Sequence, residues 1–147
     1  MSKKNIIIFS TALIVVLIDQ LTKFLIRQNF ELNQSIAVIK NFLHLTYVTN
    51  TGSAFGLFKG FNLFFIFFYI VAILIILYLF KDIKENEKSI QAFAGLLLGG
   101  TTGNLIDRFF FGAVIDFVDL RIWPVFNLAD SAITISVIAL IILLWKK

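Results

Sequence analysis

VIDFVDLRIWPVFNLADS, residues 114–131, sets Asp116 and Asp130 fourteen positions apart in an otherwise apolar chain, with the only proline, Pro124, between them. An acidic side chain in apolar surroundings is costly, because its charged form must give up water. In membrane proteins such residues face the bundle interior or a wet cavity and mark function. The stretch therefore predicts a mainly α membrane protein, with Asp116 and Asp130 as candidates for a working pair.

Composition supports the membrane reading. The chain has 147 residues, is 59% hydrophobic, only 15% charged, and has a mean hydropathy of +0.93. A soluble domain carries roughly 45–50% apolar and about 25% charged residues, so the excess reads as lipid-facing surface. Eighteen phenylalanines fit the same view. With no cysteine and one histidine, disulfides, thiolate chemistry and multi-histidine metal sites are excluded. No metal or other cofactor is expected. The formal charge of +4 does not point to nucleic acid, because the lysines flank apolar runs and form no basic stripe.

A hydrocarbon core about 30 Å thick needs about 20 apolar residues of helix. Four runs qualify, at about 6–26, 61–80, 90–110 and 125–145, and they predict one integral membrane domain over 1–147. The first run continues past Ile18 without an Ala-x-Ala cleavage site, so it reads as a retained helix and not a secretory signal. Lysines cluster at Lys3-Lys4, in the charged turn Lys81–Lys88, and at Lys146-Lys147. With four spans these places share one side, which the positive-inside rule makes cytoplasmic. Both termini are then cytoplasmic.

The connection 28–60 is β-rich and lies on the outer side. Ile36–Ile39 and Phe42–Val48 are separated by Lys40-Asn41, a plausible turn, and predict a strand pair on the membrane surface. The intramembrane polar residues converge at the same side: Asp19 and Lys23 end span one, Asn104, Asp107 and Arg108 end span three, and Asn127 and Asp130 begin span four. With span four starting at 125, Asp130 would lie roughly 8 Å inside the boundary. Asp19 and Lys23, four apart, can pair on one helix face. Gly95, Gly99 and Gly103 repeat every four residues, a spacing that lets a neighbouring helix approach closely. Trp123 and Trp145 read as interfacial anchors.

Two adjacent carboxylates cannot both ionise cheaply, so a pair can share one proton, one member serving as base and the other as acid. Spacing alone leaves alternatives open. Asp130 could pair with Arg108, with Asp116 a plain loop carboxylate, and Asp107 and Asp119 compete for the same role. A proton- or ion-coupled transporter would distribute its charges through the membrane depth, whereas here they cluster at one side.

The motifs suggest a family. Asp19-Gln20-Leu21-Thr22-Lys23, Asn50-Thr51-Gly52-Ser53-Ala54-Phe55, Gly99–Arg108, Val114–Phe117 and Phe126–Ser131 occur in this order over nearly the whole length. In that ordered set the chain resembles the bacterial lipoprotein signal peptidases (signal peptidase II), which are membrane aspartyl proteases. The resemblance implies that Asp116 and Asp130 are catalytic. It implies that Asp19, Lys23, Asn50, Gly52, Asn104, Arg108, Asn127 and Ala129 bind substrate or support the pair. It further implies four transmembrane helices, an extracytoplasmic sheet cradling the substrate, and an active site near the outer face of the bacterial cell membrane. The expected partners are membrane lipids and prolipoproteins carrying a diacylglyceryl group on the cysteine that follows the cut. Globomycin-like cyclic peptides would inhibit, and the chain would act as a monomer.

Overall fold

The computed structural model describes residues 3–52 and 60–145. Ser53, Ala54 and Phe55 of the second motif, together with Lys59, Lys146 and Lys147, lie outside the described residues. The apolar runs fold as helices α1 (Lys3–Asn29), α2 (Asn62–Leu79), α3 (Lys88–Phe111) and α4 (Leu128–Trp145). In hydrocarbon a backbone must satisfy its own polar groups, and a helix does so within one segment. At a rise of about 1.5 Å per residue, α1 is about 40 Å long and α2 and α4 about 27 Å each, against the ~30 Å of a bilayer core. These three are long and apolar enough to cross a membrane, with mean hydropathies of 1.9, 3.1 and 2.3.

Helix α3 is different because it is the central one. It packs against α1, α4 and α2, and its buried face includes Gly99, Thr101, Gly103, Asn104, Asp107 and Arg108. Shielded by its neighbours, it needs less apolar surface than they do. The small residues on its face decide how close they come. A Cβ at Gly99 would lie 2.7 Å from the Ala12 carbonyl oxygen, and one at Gly103 would lie 2.6 Å from Asp19 Oδ2. Outward-facing side chains such as Leu13, Leu17, Phe67, Leu74, Ile138 and Ile141 are exposed, as lipid contact requires.

One end of the bundle is closed by short-range polar contacts. After a single 3-10 turn (Phe80–Asp82), the Lys4 ammonium donates to the Phe80 carbonyl at 2.9 Å. Gln91 donates to the carbonyls of Lys84 and Glu85 at 2.7 and 3.1 Å, which folds the charged turn back on α3. Apolar packing of Ile8, Ala12, Ile76, Phe80, Ala94 and Leu98 lies beneath.

The other end carries a three-stranded antiparallel sheet in the order β1 (Ser35–Ile39), β2 (Leu43–Asn50), β3 (Val114–Asp119). Asn41, at φ 63°, makes the β1–β2 turn. The sequence predicts only the first two strands; the third comes from the connection before α4. It pairs Asp116 with Val48 and Val114 with Asn50. Ile115 and Phe117 join Ile26 in an apolar cluster that includes Leu45 and Leu128. Side chains alternate faces along a strand, so burying those two turns Asp116 the other way. Helix α4 also starts later than its apolar run suggests. Phe126 is drawn into a bridge with Val118, so helix begins at Leu128 and Asp130 lies in its first turn. Asp130 is therefore about 3 Å along the helix, and not the 8 Å expected from a span starting at 125.

Candidate active site

Three elements build the site: β3 presents Asp116, the start of α4 presents Asp130, and α3 places Asn104 against Asp130 and Asn127. Asn127 ends the extended segment after Pro124 and caps α4. Its Oδ1 accepts the Asp130 amide at 2.8 Å, while Asp130 Oδ2 accepts the Asn127 amide at 3.2 Å. This reciprocal arrangement is a capping box, which satisfies two otherwise orphaned groups at a helix start. The same Asn127 donates through Nδ2 to Asp116 Oδ1 at 2.8 Å and to Asn104 Oδ1 at 3.2 Å. One buried amide thus bridges both aspartates.

The remaining carboxyl oxygens are also held by amides. Asn50, the diagonal neighbour of Asp116 across the β2–β3 ladder, donates to Asp116 Oδ2 at 3.0 Å. Asn104 donates to Asp130 Oδ1 at 2.8 Å. Burial pushes the Asp116 carboxyl up and the charge of neighbouring Asp130 adds to this. The Asn50 and Asn127 amides and the Lys23 charge oppose it, and the balance lies at about 7.

Both aspartates border a cavity of about 340 Å³, with Asn50, Asn104 and Arg108 on its polar wall and Phe65, Val125 and Ile133 on its apolar one. A second hollow of about 420 Å³ also touches Asp130, with Leu120, Trp123 and Ile135 among its walls. Trp123 borders both, so it belongs to the site and is more than the interfacial anchor its sequence position suggests.

Arg108 does not pair with Asp130. Its guanidinium donates to the Gly52 carbonyl and, at 3.4 Å, to Asn62 Oδ1, and it stacks 4.1 Å from the Phe65 ring centroid. It therefore ties α3 to the end of β2 and to α2. Gly52 is further fixed by its amide bond to Asn50 Oδ1 at 3.0 Å.

The other acids are engaged elsewhere. Asp107 is fully buried, 3.0 Å from the Lys23 ammonium, and accepts from Gln20 and from the Ile115 amide. Asp19 pairs with the same ammonium at 2.8 Å, as its spacing predicts, and accepts the Ala129 amide at 3.0 Å. Asp119 sits on the sheet, bound by the Thr46 hydroxyl at 2.7 Å and by the Arg121 amide at 2.9 Å. Burial pushes Asp119 up, but those bonds and the Arg121 charge outweigh it and hold the group below the usual carboxylate range. Neither Asp107 nor Asp119 borders the cavity that Asp116 and Asp130 share. Sequence reasoning missed Phe65 and Tyr69, which line the cavity from α2; an aromatic run without a polar residue carries no signal that would separate them from lipid-facing neighbours. Gln20, inside the first motif, could have been found by its position one residue from Asp19.

A profile of the family described as signal peptidase (SPase) II matches residues 11–146. The chain is similar to a lipoprotein signal peptidase of Moorella thermoacetica, 49% identical over 135 residues, or 92% of this chain and 88% of that protein. It is also similar to one of Halothermothrix orenii, 43% identical over 141 residues, or 95% and 96% of the two chains. A solved bacterial membrane enzyme superposes with a TM-score of 0.84 at 39% identity, covering 92% of this chain and 85% of that one. With the family profile covering nearly its full length and such relatives at 43–49% identity, the chain belongs to the signal peptidase II family.

Proposed function

We propose that the chain is an intramembrane aspartyl endopeptidase that removes the signal peptide from diacylglyceryl-modified prolipoproteins, cutting just before the lipidated cysteine, with Asp116 and Asp130 as its catalytic pair. The observation that carries this reading is the buried Asn127 amide, which binds Asp116 through its side chain and Asp130 through its capping box, behind two aspartates that both line one cavity. A peptide bond placed there meets two carboxyls at once.

In the reaction the two aspartates share a proton. One carboxylate takes a proton from water, whose oxygen attacks the scissile carbonyl, while the protonated partner donates to the carbonyl oxygen. The newly protonated carboxyl then gives its proton to the leaving nitrogen, while its partner takes one back from a hydroxyl of the tetrahedral diol; the C–N bond breaks and the shared proton is restored. Asp116, raised to about 7, is the member we assign the shared proton below neutrality. The amides around the pair keep it in place without neutralising it. Asn50, Gly52, Asn104, Arg108, Asn127 and Ala129 act as binding and support groups, and Asp19 and Lys23 act behind them.

The site's surroundings suit a lipidated substrate, since apolar walls beside Asp130 accept acyl chains while the peptide meets the polar wall. We read residues 1–147 as one integral membrane domain, with the lysine-rich end and both termini in the cytoplasm and the sheet end outside. The chain acts as a monomer in the cell membrane and is blocked by globomycin-like cyclic peptides. The test is cleavage of a diacylglyceryl-modified prolipoprotein by correctly inserted Asp116→Asn and Asp130→Asn variants. Loss of turnover in both is expected; near-normal turnover in either removes that residue from the chemistry.

A further inference from the structure

Behind the aspartate pair lies a second, drier set of charges that does not border the cavity. Asp19, Lys23 and Asp107 have relative exposures of 0%, 2% and 0%. The Lys23 ammonium lies 2.8 Å from Asp19 Oδ2 and 3.0 Å from Asp107 Oδ2. Gln20 repeats the tie, donating to Asp19 Oδ2 at 3.2 Å and to Asp107 Oδ1 at 2.9 Å. The targets of the two carboxylates are specific. Asp107 accepts the amide of Ile115, and Asp19 accepts the amide of Ala129, each at 3.0 Å. Ile115 directly precedes Asp116, and Ala129 directly precedes Asp130.

We propose that Asp19, Lys23 and Asp107 form a positioning clamp for the aspartate pair, each carboxylate holding the amide just before one member while Lys23 fixes the distance between the two. The clamp rests on the reading of Asp116 and Asp130 as the catalytic pair. Backbone at Ile115 belongs to the sheet and backbone at Ala129 to a helix, so sheet pairing and helix packing alone leave their separation adjustable. The ammonium joins them through α1, a third element. Lys23 also sets an amide's orientation. An ammonium only donates, and its 3.0 Å contact with Asn104 Oδ1 leaves Asn104 Nδ2 facing Asp130.

The experiment uses the full chain in lipid nanodiscs, reading residue-resolved amide exchange by NMR beside steady-state cleavage of a diacylglyceryl-modified prolipoprotein. Asp107→Ala is expected to speed exchange at Ile115 and leave Ala129 protected; Asp19→Ala is expected to do the reverse. Misplacing a reacting group by about 1 Å can cost about 10²-fold, so kcat should fall by that order with KM within about threefold. Asp107→Asn keeps an acceptor for the Ile115 amide but loses the ion pair. It should retain the Ile115 protection, with kcat about tenfold below wild type, and it decides the matter if Asp107→Ala does not fold. Unchanged Ile115 exchange in Asp107→Ala, wild-type kcat in Asp107→Asn, or a rise in KM alone overturns the clamp. Active Asp116→Asn or Asp130→Asn enzyme would instead sink the catalytic reading, and the exchange measurements would still report the clamp by themselves.

Discussion

Replacing Asn127 separates two jobs that one side chain performs. Its Oδ1 caps α4 through the Asp130 amide, and its Nδ2 reaches Asp116 Oδ1. Asn127→Ala removes both. A lost cap costs about 1 kcal/mol, and a lost bond to a charged or partly charged acceptor costs about 1.5–3 kcal/mol, so destabilisation should reach about 3 kcal/mol. Turnover should fall about 10²-fold, because neither aspartate then has its shared anchor. Asn127→Ser divides the effects. A serine hydroxyl is a good cap but is too short to span to Asp116 as well. It should restore about 1 kcal/mol of stability while turnover stays low. Thermal unfolding in detergent and prolipoprotein cleavage measured on the same samples make the comparison. Near-wild-type turnover in Asn127→Ser would refute the bridge, and unchanged stability in Asn127→Ala would refute the cap.

Two further outcomes follow from the same geometry. Asp116 keeps its proton up to about 7 in the folded protein, against an ordinary value of 3.8, so kcat/KM should hold below neutrality and fall as pH rises through about 7. Because the folded state then binds more protons than the unfolded one, the contribution of Asp116 to stability should decline as pH rises between those two values. A pH–rate profile with its only descending limb far above 7 would show that Asp116 is not the proton holder. Gly103→Ala should push Asp19 away, since the added Cβ would lie 2.6 Å from Asp19 Oδ2. A cost of about 1–3 kcal/mol in thermal unfolding is expected, with cleavage falling toward that of Asp19→Ala; unchanged cleavage would mean that Asp19 can shift without consequence.

The helices were legible because lipid imposes hydropathy on every span it touches. Even α3, the least apolar, was legible as an apolar run at about 90–110. Strand β3 was not legible. It carries two acids in six residues, and its stability comes from pairing with β2, whose Asn50 lies more than sixty positions from Val114. Such a register is set by tertiary packing, not by local propensity. The late start of α4 was readable in principle. Asn127-x-x-Asp130 before an apolar run has the spacing of a capping box, but the run itself reaches back to Val125, which hides the cap inside the span.

The acids show why type and spacing could not decide among them. Asp107 and Asp19 each touch the Lys23 ammonium and each spend an oxygen on a backbone amide. A carboxylate in that position serves as a counter-charge and a tether. Asp119 is held on the sheet by Thr46 and Arg121. Asp116 and Asp130 instead have amide donors on their oxygens and a cavity beside them. Neutral donors fix a carboxyl in space without committing its charge, and cavity access lets water and a peptide bond reach it. That difference in partners is the physical reason to prefer this pair, and it depends on backbone atoms that no side-chain pattern encodes.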